Sequence, residues 1–138
     1  MTDNKTKTYI DKLAFIDIKD KKVLSTISRG KDTWYIPGGK REENETDHQA
    51  LIREIKEELS VDLLPDSLLH YGTFEAQAHG KPEGTIVRMT CYTGKFSGQL
   101  CASAEVIEYK YVDYSWKSNS SPVDRIIFDD LYTKKLIG

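Results

Sequence analysis

Residues Trp34 to Val61 read WYIPGGKREENETDHQALIREIKEELSV, and the reading of this stretch decides the fold. Its second half is helical by periodicity, because Ala50, Leu51, Ile52, Ile55 and Leu59 recur at the spacing of one apolar stripe. Thr46 followed by Gln49 has the capping-box pattern, which sets the helix from Thr46 to Leu59. At about 100° per residue, Glu54, Glu57 and Glu58 share an arc of about 100° on the charged side. The first half is an apolar run, Trp34-Tyr35-Ile36, entering Pro37-Gly38-Gly39. It reads as a strand running into a turn, where glycine permits positive φ and lets backbone come close to a ligand.

Three carboxylates on one patch repel one another by a few tenths of a kcal/mol per pair, and by more once desolvated, so the patch calls for a cation. Mg²⁺ suits it, since that ion takes hard oxygen ligands and leaves positions open for substrate phosphates, whereas zinc favours His and Cys. The helix taken alone leaves a second account open, in which the glutamates are simply solvated and Arg53 pairs with Glu57 at the surface.

The segment before the helix favours the site. Taken together, the stretch resembles the Nudix hydrolase family, in its MutT-like form. The family box is a Gly, five residues, a Glu, seven residues, then Arg-Glu-aliphatic-x-Glu-Glu-x-Gly-aliphatic, and this chain supplies Gly39, Glu45, Arg53, Glu54, Ile55, Glu57, Glu58 and Val61 at that spacing. Eight of the nine fixed positions match, and Ser60 stands where the family has Gly. A left-handed cap is expected at that position, where Ser costs on the order of 1 kcal/mol relative to Gly. The resemblance implies that Glu54, Glu57 and Glu58 hold Mg²⁺ or Mn²⁺ with help from the main-chain carbonyl of Gly38. It also implies that Arg53 and Glu45 pair to brace the loop against the helix, a role that suits a planar guanidinium.

Outward from this stretch, Tyr9 to Ile18 and Val23 to Ser28 read as strands around a polar turn. Leu68 to Gln77 and Thr85 to Phe96 read as two more, joined by a loop rich in turn formers in which His79 is solvated; Asp62 to Ser67 reads as a connection. Strands before and after one helix suggest α+β, and the resemblance implies the Nudix fold, a mixed β-sheet sandwiched between α-helices. Ser121-Pro122 opens a last helix, with Ile126, Ile127, Leu131 and Leu136 as its stripe, expected on the sheet face opposite the first helix. From the resemblance, Glu105, with Glu108 second, is a candidate to approach the metal cluster as an extra ligand or as the base that activates water. Asn119 and Ser120 lie near the place where antimutator-type members contact a base.

The chain has 138 residues, expected to form one domain over 1–138 with residues 1–8 flexible. Its net charge of −2 gives no basic excess for wrapping a long nucleic acid. No apolar run approaches a membrane span or a signal segment, so a cytoplasmic protein with Cys91 and Cys101 reduced is expected. The chemistry implied is metal-dependent hydrolysis of a nucleoside diphosphate linked to another moiety, with Glu54 or Glu105 accepting the proton from water. A nucleoside triphosphate, including an oxidised or otherwise non-standard one, is the first substrate class. Dinucleoside polyphosphates and nucleotide sugars follow, and a noncatalytic nucleotide sensor is the rival from another class. The sequence fixes no interface, which leaves a monomer or homodimer.

Overall fold

The computed structural model describes residues 7–138. Of the start expected to be flexible, residues 1–6 lie outside the described residues, and Thr8 already belongs to a strand. In chain order the elements are β1 (Thr8–Ile16), β2 (Ile18–Lys19), β3 (Lys22–Ser28), β4 (Gly38–Gly39), α1 (Asp47–Leu59), β5 (Asp62–Leu63), β6 (Leu69–Gln77), β7 (Thr85–Thr93), β8 (Phe96–Ser97), β9 (Val106–Val112) and α2 (Pro122–Thr133). One sheet runs β4-β1-β7-β6, parallel between β1 and β7 and antiparallel elsewhere; a second, antiparallel sheet runs β2-β3-β9. This is the expected α+β arrangement, a mixed sheet between two helices.

The layering follows from β1. Leu13, Ala14, Phe15 and Ile16 are all buried, and successive strand residues face opposite ways, so both faces of this strand must be covered. Leu13 and Phe15 pack into a core with Ala50, Leu51, Ile55 and Leu59 of α1. Ala14 and Ile16 pack into the other core with Val123, Ile127, Phe128 and Leu131 of α2. Thr46 caps α1 with the expected reciprocal pair: its hydroxyl accepts from the Gln49 amide at 3.1 Å, and the Gln49 side chain accepts from the Thr46 amide at 3.0 Å.

Four local expectations change. The Trp34-Tyr35-Ile36 run forms no strand of its own but crosses between sheets: Tyr35 bridges to Thr26, Trp34 to Ser120, and Pro37 accepts from the Phe15 amide at 2.9 Å before Gly38 and Gly39 pair with β1. The first strand stops at Ile16, and Ile18 pairs instead with Val23. The strand expected from Thr85 to Phe96 breaks after Thr93, and Phe96–Ser97 pairs with Asp62–Leu63 from the stretch read as a connection. In α2 the buried stripe is Val123, Asp124, Ile127, Phe128 and Leu131, whereas Ile126 is exposed and Leu136 lies beyond the helix.

Ser60 caps α1 at φ 64° and ψ 22°, in the left-handed region that disfavours residues with a Cβ. Ser60→Gly is therefore expected to stabilise the fold by about 0.5–1 kcal/mol, after allowing for glycine's larger chain entropy when unfolded. A thermal melt reads this as a rise of about 2–5 °C, and an unchanged or lower midpoint would count against the strain.

Candidate active site

The turn Pro37-Gly38-Gly39 lies between β1 and α1, and glycine is required there for two different reasons. Gly38 has φ +151°, and a Cβ on it would stand 1.9 Å from the Leu13 carbonyl oxygen. A Cβ on Gly39 would stand 1.5 Å from Oε2 of Glu54, so the Glu54 carboxylate lies directly against the turn. One turn of helix later, Glu58 accepts from the Gly38 amide at 3.2 Å. Helical spacing and the turn thus press two of the three box carboxylates against one piece of backbone.

The loop before α1 is held by Arg53. Its Nε donates to Glu45 at 2.8 Å and one terminal nitrogen donates to the other Glu45 oxygen at 2.9 Å, a two-point fork. That nitrogen also reaches the Lys40 carbonyl at 3.0 Å, while Glu45 accepts from the Glu42 amide at 2.7 Å. The other terminal nitrogen donates to Glu54 at 2.6 Å and to Glu57 at 3.2 Å. The Arg53 contact holds the Glu45 carboxyl down at about 2.

Among the described residues, no group of three His, Cys, Asp or Glu side chains is drawn into a ready-made ligand set. The reason is visible in the partners: Arg53 is the cation that balances Glu54 and Glu57, and Glu58 turns to an amide. The donor chemistry nonetheless suits a hard divalent cation. Burial first, and then the charge of Glu54, push the Glu58 carboxyl up to about 8, against the Gly38 amide, with Glu57 and Glu105 adding to the rise. A carboxyl so placed becomes ionised when a cation enters among its oxygens, and Glu105 lines the same cleft as a further oxygen donor.

Glu105 and Glu58 line the same cleft, of about 300 Å³, together with Gly38, Gly39, Lys12, Lys31 and Tyr35. The Glu105 side chain has no hydrogen-bond or ion-pair partner among the described residues, and its carbonyl accepts from the Arg29 amide at 2.8 Å. Glu108 does not join them; it is exposed on β9 with Lys110 at 3.7 Å. Asn119 and Ser120 also stay out of the cleft. The Asn119 carbonyl accepts from the Trp34 amide at 2.9 Å, and the buried Ser120 hydroxyl donates to Trp116 at 3.2 Å, so both hold the crossing segment in place.

Beside the cleft is a smaller recess of about 70 Å³, lined by Ile10, Val87, Val123 and Ser121 and by His79 and Lys81, with Lys12, Tyr35 and Met89 common to both spaces. Below it Asp124 is wholly buried: one oxygen accepts from the Ile36 amide at 2.9 Å, and the other has no partner. Burial, opposed chiefly by that amide, pushes its carboxyl up to about 7. The sequence reading passed over Lys12 and Asp124. The signal for Lys12 was a cation within a strand, next to the apolar run Leu13–Ile16, and for Asp124 an acid on the buried stripe of a helix. Cys91 is buried and Cys101 exposed, both as free thiols. No described helix is long and apolar enough to cross a membrane.

Comparison with known proteins agrees with this geometry. The NUDIX domain family matches residues 13–128. An 8-oxo-dGTP diphosphatase of Proteus vulgaris is 44% identical over 53 residues, which are 38% of this chain and 43% of that protein, so the match spans less than half of the relative. The solution structure of the E. coli ORF135 protein superposes with a TM-score of 0.73 at 22% identity, covering 92% of this chain and 91% of that one. The MutT protein from Methanosarcina mazei Go1 also gives 0.73, at 19% identity over 95% of this chain and 98% of its own. With the Gly38-Gly39 turn, the Arg53–Glu45 fork and the acidic face of α1 all within the matched span, this chain belongs to the Nudix hydrolase family.

Proposed function

We propose that the chain hydrolyses the diphosphate linkage of a nucleoside triphosphate, releasing a nucleoside monophosphate and pyrophosphate, with Mg²⁺ or Mn²⁺ held by Glu54, Glu57 and Glu58 and helped by the Gly38 carbonyl. The observation that carries this reading is the convergence of Glu58 and Glu105 on one cleft floored by the Gly38-Gly39 turn, with Glu54 against the same turn. When bound, the divalent ion would screen the phosphate charge that repels nucleophiles and make water acidic enough to yield hydroxide near neutral pH.

The rest is done by the chain itself. Glu105, free of partners, is the better placed of the two candidate bases to accept the proton of the attacking water, because Glu54 is already engaged by Arg53 at 2.6 Å. Arg53 and Glu45 act as a brace that fixes the turn relative to α1. The apolar recess with Tyr35 on its wall gives a planar base a surface on which to lie. The choice of a triphosphate, with oxidised nucleotides foremost, is supported by the name of the Proteus vulgaris relative.

The test is pyrophosphate and phosphate release from a panel of standard and oxidised nucleoside triphosphates, dinucleoside polyphosphates and nucleotide sugars, with Mg²⁺, with Mn²⁺ and with a chelator. Metal-dependent release of pyrophosphate, greatest from a triphosphate, is expected. Preferred cleavage of one of the other two classes would move the substrate assignment, and tight binding with no turnover across the panel would make the protein a sensor.

A further inference from the structure

Lys12 occupies an unusual place for a lysine. It is on β1, one residue before the fully buried run Leu13–Ile16, and it lines both the acidic cleft and the apolar recess. Lysine seldom goes so far inside without a partner, yet among the described residues Lys12 makes no hydrogen bond and no ion pair. Its ammonium stands over the face of Tyr35, 5.8 Å from the ring centre. Burial, followed by the like charge of Lys40, holds its pKa below the usual value, while the carboxylates of Asp124 and Glu58 act the other way. Three donor positions on a cation thus stand unused at the wall shared by the two cavities.

We infer that Lys12 is a phosphate-binding residue that takes the phosphate attached to the ribose, and so sets the position of the nucleotide between recess and cleft. The inference rests on the proposed nucleotide hydrolysis. If the base lies in the recess and the diphosphate linkage in the cleft, the first phosphate passes the wall the two spaces share. Lys12, Tyr35 and Met89 make up that wall, and only Lys12 among them carries positive charge. A charge-assisted hydrogen bond in a half-buried place is worth more than the same contact in water, and it is indifferent to the identity of the base. Lys12 thereby supplies affinity and register, and the recess supplies discrimination.

Titration calorimetry on the full chain without added metal separates these roles, using AMP, GMP, CMP and UMP and the four matching nucleosides. Lys12→Met, which keeps the apolar stem, is expected to weaken the monophosphates about 10- to 100-fold, leave the nucleosides unchanged, and keep the wild-type order of bases. Lys12→Arg, which keeps the charge, is expected to restore most of the loss, and thermal melts of both variants check folding. Equal weakening of nucleosides and monophosphates, or a changed order of bases, would overturn the assignment by making Lys12 a base contact or a packing residue. Unchanged binding would overturn it too. Wild type that binds these monophosphates while turning over no nucleotide would retain the phosphate contact and remove the hydrolysis; wild type that binds none of them would overturn the phosphate contact and leave hydrolysis to the release assay.

Discussion

Glu57→Gln is expected to lower turnover of the preferred nucleotide by about 10³-fold at saturating Mg²⁺, equivalent to about 4 kcal/mol of lost transition-state stabilisation. The substitution keeps shape and removes one of three charges that would hold the cation. Folding should be spared, because Glu57 is half exposed and its one contact is an i,i+4 pair with Arg53 at 3.2 Å. Such pairs contribute only a few tenths of a kcal/mol, and relief of repulsion from Glu54 offsets the loss. A variant that melts with wild type, binds Mn²⁺ more weakly and turns over poorly has all three expected properties. Wild-type turnover would take Glu57 out of the metal set and leave the acidic face as an ordinary solvated surface.

The two adjacent glycines should respond to alanine to very different degrees. At Gly38 the added Cβ meets backbone, 1.9 Å from the Leu13 oxygen and 2.8 Å from the Leu13 carbonyl carbon, at φ +151°. Leu13 is in the central strand, paired with Gly39 on one side and Thr90 on the other, so it cannot yield without breaking the sheet. The strained φ and the overlap together are expected to cost about 3–5 kcal/mol, a fall in melting midpoint of about 10 °C or more. At Gly39 the atoms met are Oε2 and Cδ of Glu54, at 1.5 and 2.4 Å, the far end of a flexible side chain. Gly39→Ala should therefore fold with a small loss of stability but push Glu54 off the turn, and activity should fall with it. Melting midpoints of the two variants that agreed within a few degrees would show that the Gly38 contact is not the constraint it is taken to be.

Residues whose partners lie near in sequence were legible in it. The capping box, the left-handed cap at Ser60, the arc shared by Glu54, Glu57 and Glu58, and the Ser121-Pro122 helix start all depend on geometry within a few residues, and helical spacing states that geometry outright. The Arg53–Glu45 contact was expected from the family resemblance and not from the spacing itself, and the structure contains it. Misreadings fell where pairing is long-range. Trp34–Ile36 looked like a strand, but its hydrogen-bonding groups are divided between β3 and the Asn119–Ser120 segment, which no local pattern reveals. Phe96–Ser97 looked continuous with β7 until its partner, Asp62–Leu63, was known. The Asn119 carbonyl accepts from Trp34, a further long-range contact that no local pattern reveals, and the Ser120 hydroxyl donates to Trp116.

The sequence by itself determined the acidic helix, the glycine turn that faces it and the α+β class, because these follow from local spacing and from which residues must be covered. Only the tertiary structure decided that Glu105 and not Glu108 shares the cleft with Glu58, and that Lys12 stands on the wall between cleft and recess. Both outcomes depend on how β1 of one sheet and the loop before β9 of the other are brought to the walls of one cleft. That juxtaposition is fixed by burying two cores at once, and burial is a property of the whole chain, so no stretch of sequence contains it.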